Sequence, residues 1–426
     1  MKIKIVNKSY DQVVAIPQPK HKKPMKQSLF WRTLLRIVST PDLMTTHFMC
    51  NKIGMERLGK REPCLVLMNH SSFIDLKIAS TVLYPRPFNI VCTTDGFVGK
   101  NTLMRFLGCI PTQKFVADLN LVRDMVYAVK ELKSSILMYP EAGYSFDGRA
   151  TILPDHLYKF IKLLGVPVVT IRTYGAFARD PLYNNLQRRR VKVSADMTYL
   201  LSAEEVREKS VDEIRTAIGE QFNFDSFRWQ QENEIRIAED FRADRLNRLL
   251  YKCPACHTEG QMEGKGTELV CHACGKRYVL DEYGYMTCPE GETEFSHIPD
   301  WVDWQRAQVR RQLEQGTYCL DTDVDVYMLV DTKCLYKVGE GHLTHTCQGF
   351  HLTGCDGKLD YTQPPKASYT LNSDFNWYEI GDVISIGDKK ALYYCVPKTD
   401  GDIVAKTRLA TEELYNMQKK AAMAVK

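Results

Sequence analysis

His70 and Asp75 stand five residues apart in Asn69-His70-Ser71-Ser72-Phe73-Ile74-Asp75, directly after the apolar run Leu65-Val66-Leu67-Met68. An imidazole can take a proton from a hydroxyl, and a nearby carboxylate can fix which ring nitrogen acts as base. On a continuous helix, residues five apart lie about 140° apart around the axis. The pair therefore meets only if His70 sits at or before a helix start with Asp75 one turn in. Asn69 or Ser71 is placed to cap that start. In isolation the same residues suit a purely capping role, so their surroundings must decide.

A second set of residues carries metal chemistry. Cys253-Pro254-Ala255-Cys256 and Cys271-His272-Ala273-Cys274 are two C-x-x-C knuckles separated by fourteen residues. Four thiolates at this spacing close tetrahedrally on Zn²⁺, leaving no open position, so the metal is expected to be structural, in a zinc ribbon. The flanking residues Lys252, His257, Lys265, Lys276 and Arg277 are only mildly basic, which argues against nucleic acid and for a brace or a protein contact.

Strands must present the first site. Apolar runs at 64–69, 88–93, 135–139, 166–172 and 191–197 alternate with helical patterns at 73–83, 100–107, 119–133, 155–164 and 203–221. That alternation predicts an α/β layer with a largely parallel sheet flanked by helices, in which strand ends present the chemistry. Residues 227–250 look like a charged helix leading to the cysteines, and a Trp-rich helix follows at 301–315. Short aromatic and β-branched runs at 324–330, 369–371, 377–386 and 391–396 predict a small antiparallel β domain, with a closing helix from Thr411. The expected divisions are 1–60, a basic amphipathic segment; 61–225, the α/β domain; 226–300, helix and ribbon; and 301–426, helix, β domain and C-terminal helix.

The chain has 426 residues, too many for one ordinary core, and a formal net charge of +5. Residues 1–60 hold twelve Lys/Arg against three acids, so the basic surplus is confined there. Leu29, Phe30, Trp31, Leu34, Leu35, Ile37 and Val38, with Arg32 and Arg36 one turn apart, form an amphipathic helix after the run Lys20-His21-Lys22-Lys23. Such a helix either lies in a bilayer interface or packs on the main domain. No apolar run approaches the roughly 20 residues of a spanning helix. No secretory signal is evident, and most of the 14 cysteines are scattered among apolar neighbours. They are expected to be reduced thiols in a cytoplasmic protein, peripherally associated with the inner face of a membrane.

Three further blocks follow the His–Asp string. They are Leu107-Gly108-Cys109-Ile110-Pro111-Thr112-Gln113-Lys114, Met138-Tyr139-Pro140-Glu141-Ala142-Gly143-Tyr144-Ser145 and Gly165-Val166-Pro167-Val168-Val169-Thr170. In order and spacing the four blocks, over roughly residues 60–200, resemble the glycerolipid (lysophospholipid) acyltransferase family. That family carries N-H-x-x-x-x-D, then G-x-I-P-x-x-R/K, F-P-E-G-T-R-S and V-P-V-V-P. The resemblance implies that His70 is the general base and Asp75 its orienting partner. It implies an acyl-CoA or acyl carrier protein donor and a lysolipid acceptor. Lys100, Thr112, Lys114, Glu141 and Gly143 would contact substrate. The family's arginine in the third block is Tyr144 here, a neutral single donor in place of a charged fork. Arg149, five residues on, is the candidate replacement. Two alternatives stand beside acyl transfer: a catalytically inactive lipid- or partner-binding module, and a zinc-ribbon nucleic-acid-binding protein. Gly143-Tyr144-Ser145-Phe146-Asp147 begins like a hydrolase elbow but lacks the closing glycine.

Overall fold

The computed structural model describes residues 2–114, 118–399 and 402–424. The chain opens with β1 (Ile5–Asn7), α1 (Tyr10–Val14) and the long helix α2 (Leu29–Thr45). The α/β domain then runs through β2 (Met49–Ile53), β3 (Leu65–Met68), α3 (Asp75–Val82), β4 (Phe88–Thr93), α4 (Asn101–Phe106), β5 (Cys109–Thr112) and α5 (Leu119–Lys130). It continues with β6 (Ser135–Met138), α6 (Asp155–Leu164), β7 (Val168–Tyr174), α7 (Ala176–Arg179), β8 (Ser194–Leu201), α8 (Ala203–Glu208) and α9 (Val211–Phe222).

These strands form one sheet of order β2-β8-β7-β3-β6-β4-β5, parallel throughout except where β7 meets β8. Both faces are covered. Val66 and Met68 point into a core shared with α2 and α3, whereas Leu65 and Leu67 point into one shared with α5, α6 and α9. This is the continuous burial that lets a central parallel strand be apolar at every position. All four side chains are fully buried, each worth about 1.5–3 kcal/mol. The site is thus carried on the most deeply fixed strand of the sheet.

The expected helix at 203–221 is two helices, because Ser210 forms a capping box with Glu213 and starts α9 afresh. The expected helix at 227–250 is largely absent. After α10 (Ser226–Glu232) the backbone turns through Glu234 at φ 49°, and its N–H groups bond away from their own segment. Ile237 donates to Glu282, Ala243 to Gly266 and Arg245 to Gly264. Gly264 permits this crossing: a Cβ there would lie 2.4 Å from the Ala243 carbonyl oxygen.

The segment wraps a four-stranded antiparallel ribbon: β9 (Met262–Lys265), β10 (Glu268–Cys271), β11 (Arg277–Leu280) and β12 (Met286–Thr287). Helix α11 (Ile298–Glu314) follows, with Trp301 fully buried and its indole N–H donated to the Lys252 carbonyl at 3.0 Å. The C-terminal sheet comprises β13 (Leu320–Leu329), β14 (Leu335–Thr346), β15 (Gly349–Gly354), β16 (Leu359–Gln363), β17 (Asn372–Trp377), β18 (Gly381–Gly387) and β19 (Leu392–Pro397). It is antiparallel, in the order β16-β15-β14-β13-β19-β18-β17, and α12 (Ile403–Ala424) closes it against α11. Ribbon, α11, sheet and α12 share one apolar core.

Residues 1–60, expected as a separate segment, are woven into both parts. β1 pairs with β14 in parallel, and β2 is an edge of the α/β sheet. The basic run packs on α5, with His21 2.9 Å from Asp124 and Lys23 over the Tyr127 ring. Arg36 lies over the Tyr84 ring. The opposite side of α2 leaves Leu29, Phe30, Ile37, Val38 and Met44 exposed.

Candidate active site and metal cluster

β3 ends at Met68, and the chain turns through Asn69–Ile74 before α3 starts at Asp75. The Asp75 carboxylate reaches back into this turn. Its Oδ2 accepts from His70 Nδ1 at 2.9 Å and from the backbone N–H groups of Ser71 at 2.7 Å and Ser72 at 3.0 Å. Asp75 thus ties down the backbone that precedes the helix, and α3 has no side-chain cap. Asn69 is turned instead toward β7, accepting from the Thr173 N–H at 2.8 Å. Asp75 is fully buried, while the His70 side chain keeps 22 % of its surface exposed.

Glu141 braces the same turn from the loop after β6. One of its oxygens accepts from the His70 N–H at 2.9 Å and the other from the Thr151 N–H at 2.9 Å. The Ser145 N–H in turn donates to the His70 carbonyl at 2.7 Å. Burial pushes the Glu141 carboxyl up to about 7, although both backbone bonds favour its charged form. The Tyr139 ring stacks on the imidazole at 4.0 Å between centroids, and Tyr144 lies at 4.2 Å. Burial, with Asp75, Asp374 and Asp180 nearby, holds the Tyr144 phenol well above its ordinary range and therefore neutral.

The other residues singled out from sequence are distributed. Gly143 sits in the Glu141 loop, where an added Cβ would meet open space. Lys100 precedes α4, beside the contact from the Gly99 N–H to the Thr332 carbonyl. Thr112 and Lys114 line a small polar cavity together with Asp95, Asp374, Trp377 and Tyr394. This cavity separates the C-terminal ends of β4 and β5 from β17–β19. Burial pushes the Asp374 carboxyl up to about 6, with Lys114 acting against that rise. Arg149 points away, bound through both terminal nitrogens to Asp303 of α11 at 2.7 Å each and through Nε to Asp147 at 2.9 Å.

Sequence alone did not reveal Tyr139, although it lies two residues before Glu141. Nor did it reveal the wall built by the C-terminal sheet. There Trp377 Nε1 and the Tyr378 hydroxyl approach Asp95 at 3.4 and 3.3 Å, and the Phe375 ring stands 6.2 Å from Phe146.

Residues 50–173 match the Acyltransferase family model. This segment is an acyltransferase-family domain. It contains His70, Asp75, Lys100, Thr112, Lys114, Glu141, Gly143 and Arg149. Among solved structures, the 1-acyl-sn-glycerophosphate (LPA) acyltransferase PlsC from Thermotoga maritima is similar at 18 % identity. The match covers 45 % of this chain and 80 % of that one, with a TM-score of 0.32. Comparison with curated proteins gives no match.

The ribbon adjoining the acyltransferase domain gathers its cysteines. Cys253, Cys256, Cys271 and Cys274 have sulfurs all within 4.8 Å of one another. Cys253 and Cys274 sulfurs are 3.8 Å apart, and those of Cys256 and Cys271 3.7 Å. A tetrahedron of thiolates about 2.3 Å from a central zinc has edges of about 3.8 Å, so the set fits one ion. Among the described residues no helix is long and apolar enough to cross a membrane.

Proposed function

We propose that this protein moves a fatty acyl group from a thioester, acyl-CoA or acyl carrier protein, to a hydroxyl of a lysophospholipid or related lipid at the inner face of a membrane. The observation that carries this is the His70–Asp75 pair, braced by Glu141 inside an acyltransferase-family domain. With Nδ1–H donated to Asp75, the imidazole presents Nε2 as the base. Nε2 takes the acceptor's hydroxyl proton as its oxygen attacks the thioester carbonyl. The tetrahedral intermediate collapses, the C–S bond breaks, and the departing thiolate recovers the proton from Nε2. A thiolate leaves readily, so no covalent intermediate on the enzyme is required.

The exposed apolar face of α2 supports a membrane-surface setting, and Phe73 and Leu76 are exposed as well. In the ribbon, Zn²⁺ on the four cysteines would hold together a segment too small to bury a core of its own. Sequence favours a brace or protein-contact role for the ribbon, and several of its basic residues are paired with acids. Lys276 pairs with Glu294 at 2.6 Å and Arg277 with Glu290 at 3.2 Å. That disfavours a nucleic-acid ligand.

One observation favours a second reading, lipid capture without turnover: Tyr144 replaces the family arginine and Arg149 is engaged elsewhere. Turnover of acyl-CoA and acyl carrier protein with a panel of vesicle-borne lysolipids decides between them. Loss of general-base help in His70→Ala should slow transfer roughly 10²–10⁴-fold. Undiminished transfer by that variant rejects the mechanism, and lipid binding without transfer by the unaltered protein selects the second reading.

A further inference from the structure

Helix α2 presents two unlike faces. Outward it exposes the apolar row from Leu29 to Met44. Inward it carries Asp42, whose side chain is only 10 % exposed and whose two oxygens are each held by a cation. Lys77 Nζ lies 2.5 Å from Oδ2, and Arg179 Nη2 lies 2.5 Å from Oδ1. Burial pushes the Asp42 carboxyl up, but the Lys77 hydrogen bond and the charges of Arg179, Lys77 and Arg188 outweigh it and hold the group ionised.

Each of the two cations leads to the catalytic turn. Lys77 stands on α3, two residues after Asp75, which is the first residue of that helix. Arg179 ends α7, and its Nη1 donates to Asp180 Oδ2 at 3.0 Å. Burial pushes the Asp180 carboxyl up to about 6, with Arg179 and the Ser72 side chain acting against that rise, and the Ser72 N–H donates to Asp75 Oδ2 at 3.0 Å. Arg179 and Asp180 are 3 % and 2 % exposed, so this arm runs through the protein interior. The arm through Arg179 and Asp180 leads to Ser72, whose N–H bonds the oxygen that holds His70 Nδ1, and the arm through Lys77 leads to the first turn of α3; both begin at one carboxylate of α2.

A paired cation inside a protein has few alternative partners, and removing one member leaves an uncompensated buried charge. Position is what such a network fixes. General-base catalysis depends on position, since a misplacement of about 1 Å can cost roughly 10²-fold.

We infer that Asp42 is a positioning residue that aligns the His70–Asp75 turn and couples this alignment to the seating of α2 on a lipid surface. The inference rests on the function proposed above and specifies how its site is regulated by its lipid environment. Seating the outward face of α2 fixes the helix relative to the sheet. Asp42 transmits that constraint to α3 through Lys77 and to Ser72 through Arg179 and Asp180.

The test uses the full-length protein with acyl-CoA and lysophosphatidate, presented as a short-chain monomer or in vesicles of phosphatidylglycerol and phosphatidylethanolamine. The unaltered protein should show a higher kcat on vesicles than with the monomer. Asp42→Asn should lower kcat on vesicles roughly 10- to 100-fold. Its acceptor KM and its flotation with vesicles should stay unchanged, and the vesicle advantage should disappear. Asp42→Glu should restore part of it. If Asp42→Asn folds poorly, Arg179→Lys keeps the charge but cannot span Asp42 and Asp180 together, and the same split in kcat is expected. Retention by Asp42→Asn of both kcat and the vesicle advantage overturns the inference while leaving the proposed function intact. So does a loss of kcat matched by equal loss of vesicle binding and thermal stability, which marks a structural role only. No transfer by the unaltered protein to any acceptor removes the proposed function itself.

Discussion

Glu141→Gln separates the two jobs of a buried carboxylate. In the native protein each Glu141 oxygen accepts one backbone N–H, from His70 and from Thr151, so the ionised form satisfies both donors. Protonation puts a hydrogen on one of those oxygens and weakens one bond, worth about 1.5–3 kcal/mol when the acceptor is charged. Burial nevertheless raises the carboxyl from 4.5 to about 7. At about 1.36 kcal/mol per pH unit, this is roughly 3 kcal/mol set against the charged form. The sign follows from linkage. A carboxyl raised in the folded state gives its full stabilisation below the unfolded value and loses it as pH rises through the folded one. Glu141 should therefore lower stability by up to roughly 3 kcal/mol between pH 4.5 and pH 8, while activity rises over the upper part of that range as the brace on His70 ionises. Glutamine keeps one acceptor and places an amide N–H₂ against the other backbone donor. Its stability should fall less steeply with pH, by the Glu141 contribution, because Asp374 still titrates near 6, and transfer should fall by roughly 10²-fold with no limb near pH 7. Denaturant melts of both proteins at several pH values give the difference in slope, and kcat/KM profiles give the limb. The reasoning fails if Glu141→Gln keeps the limb near pH 7, or if the two stability curves run parallel from pH 5 to pH 8.

Three other outcomes are expected. Phe30→Asp with Ile37→Asp replaces two exposed apolar side chains of α2 and should weaken vesicle binding by roughly 10²-fold, taking about 1–2 kcal/mol for each half-buried contact with lipid. Flotation measures this, and unchanged binding rejects α2 as the lipid contact. The purified protein should contain one zinc per chain by elemental analysis. Chelation or Cys271→Ser should lower Tm by several degrees, since Cys253 and Cys271 lie in the core shared by the ribbon and the C-terminal sheet. Arg149→Met should lower stability by about 1–3 kcal/mol by leaving the largely buried Asp147 carboxylate without its guanidinium, while acceptor KM changes less than about twofold. A tenfold rise in KM would return Arg149 to the headgroup.

What could be read from sequence was local. The β3–turn–α3 unit lies within about twenty residues, and its apolar run, turn serines and His–Asp spacing all act on one another directly. The cysteine knuckles are legible for the same reason, since ligand geometry is set within each short loop. The helix expected at 227–250 had suitable periodicity, but its backbone donors found Glu282, Gly264 and Gly266 on the ribbon, and tertiary pairing overrode local preference. Arg149 looked available because Asp303 lies 154 residues further along the chain. Asp42 appeared only as one of three acids in a basic segment. The groups inferred to align the His70–Asp75 turn from outside its own motif blocks come from α2 and α7, and no short motif records their meeting.

These long-range contacts also give the candidate site its asymmetry. On one side the C-terminal sheet closes against the acyltransferase domain. Phe375 faces Phe146, Trp377 and Tyr378 approach Asp95, and Asn101 donates to Thr332 at 2.7 Å. On the other side His70 keeps part of its surface, and Phe73, which packs on the Tyr144 ring beside it, and Leu76 are exposed. Under the proposed function, a lipid acceptor would approach past exposed Phe73, where its chain meets apolar surface while its hydroxyl reaches the imidazole. Under the same proposal, the polar wall of Asp95, Lys114 and Asp374 is the candidate contact for a headgroup beyond the hydroxyl. With Tyr144 neutral and Arg149 bound to Asp303, the charge balance of that wall differs from one built around a free guanidinium. Headgroup choice should therefore respond to substitutions on the C-terminal sheet as well as within the acyltransferase domain.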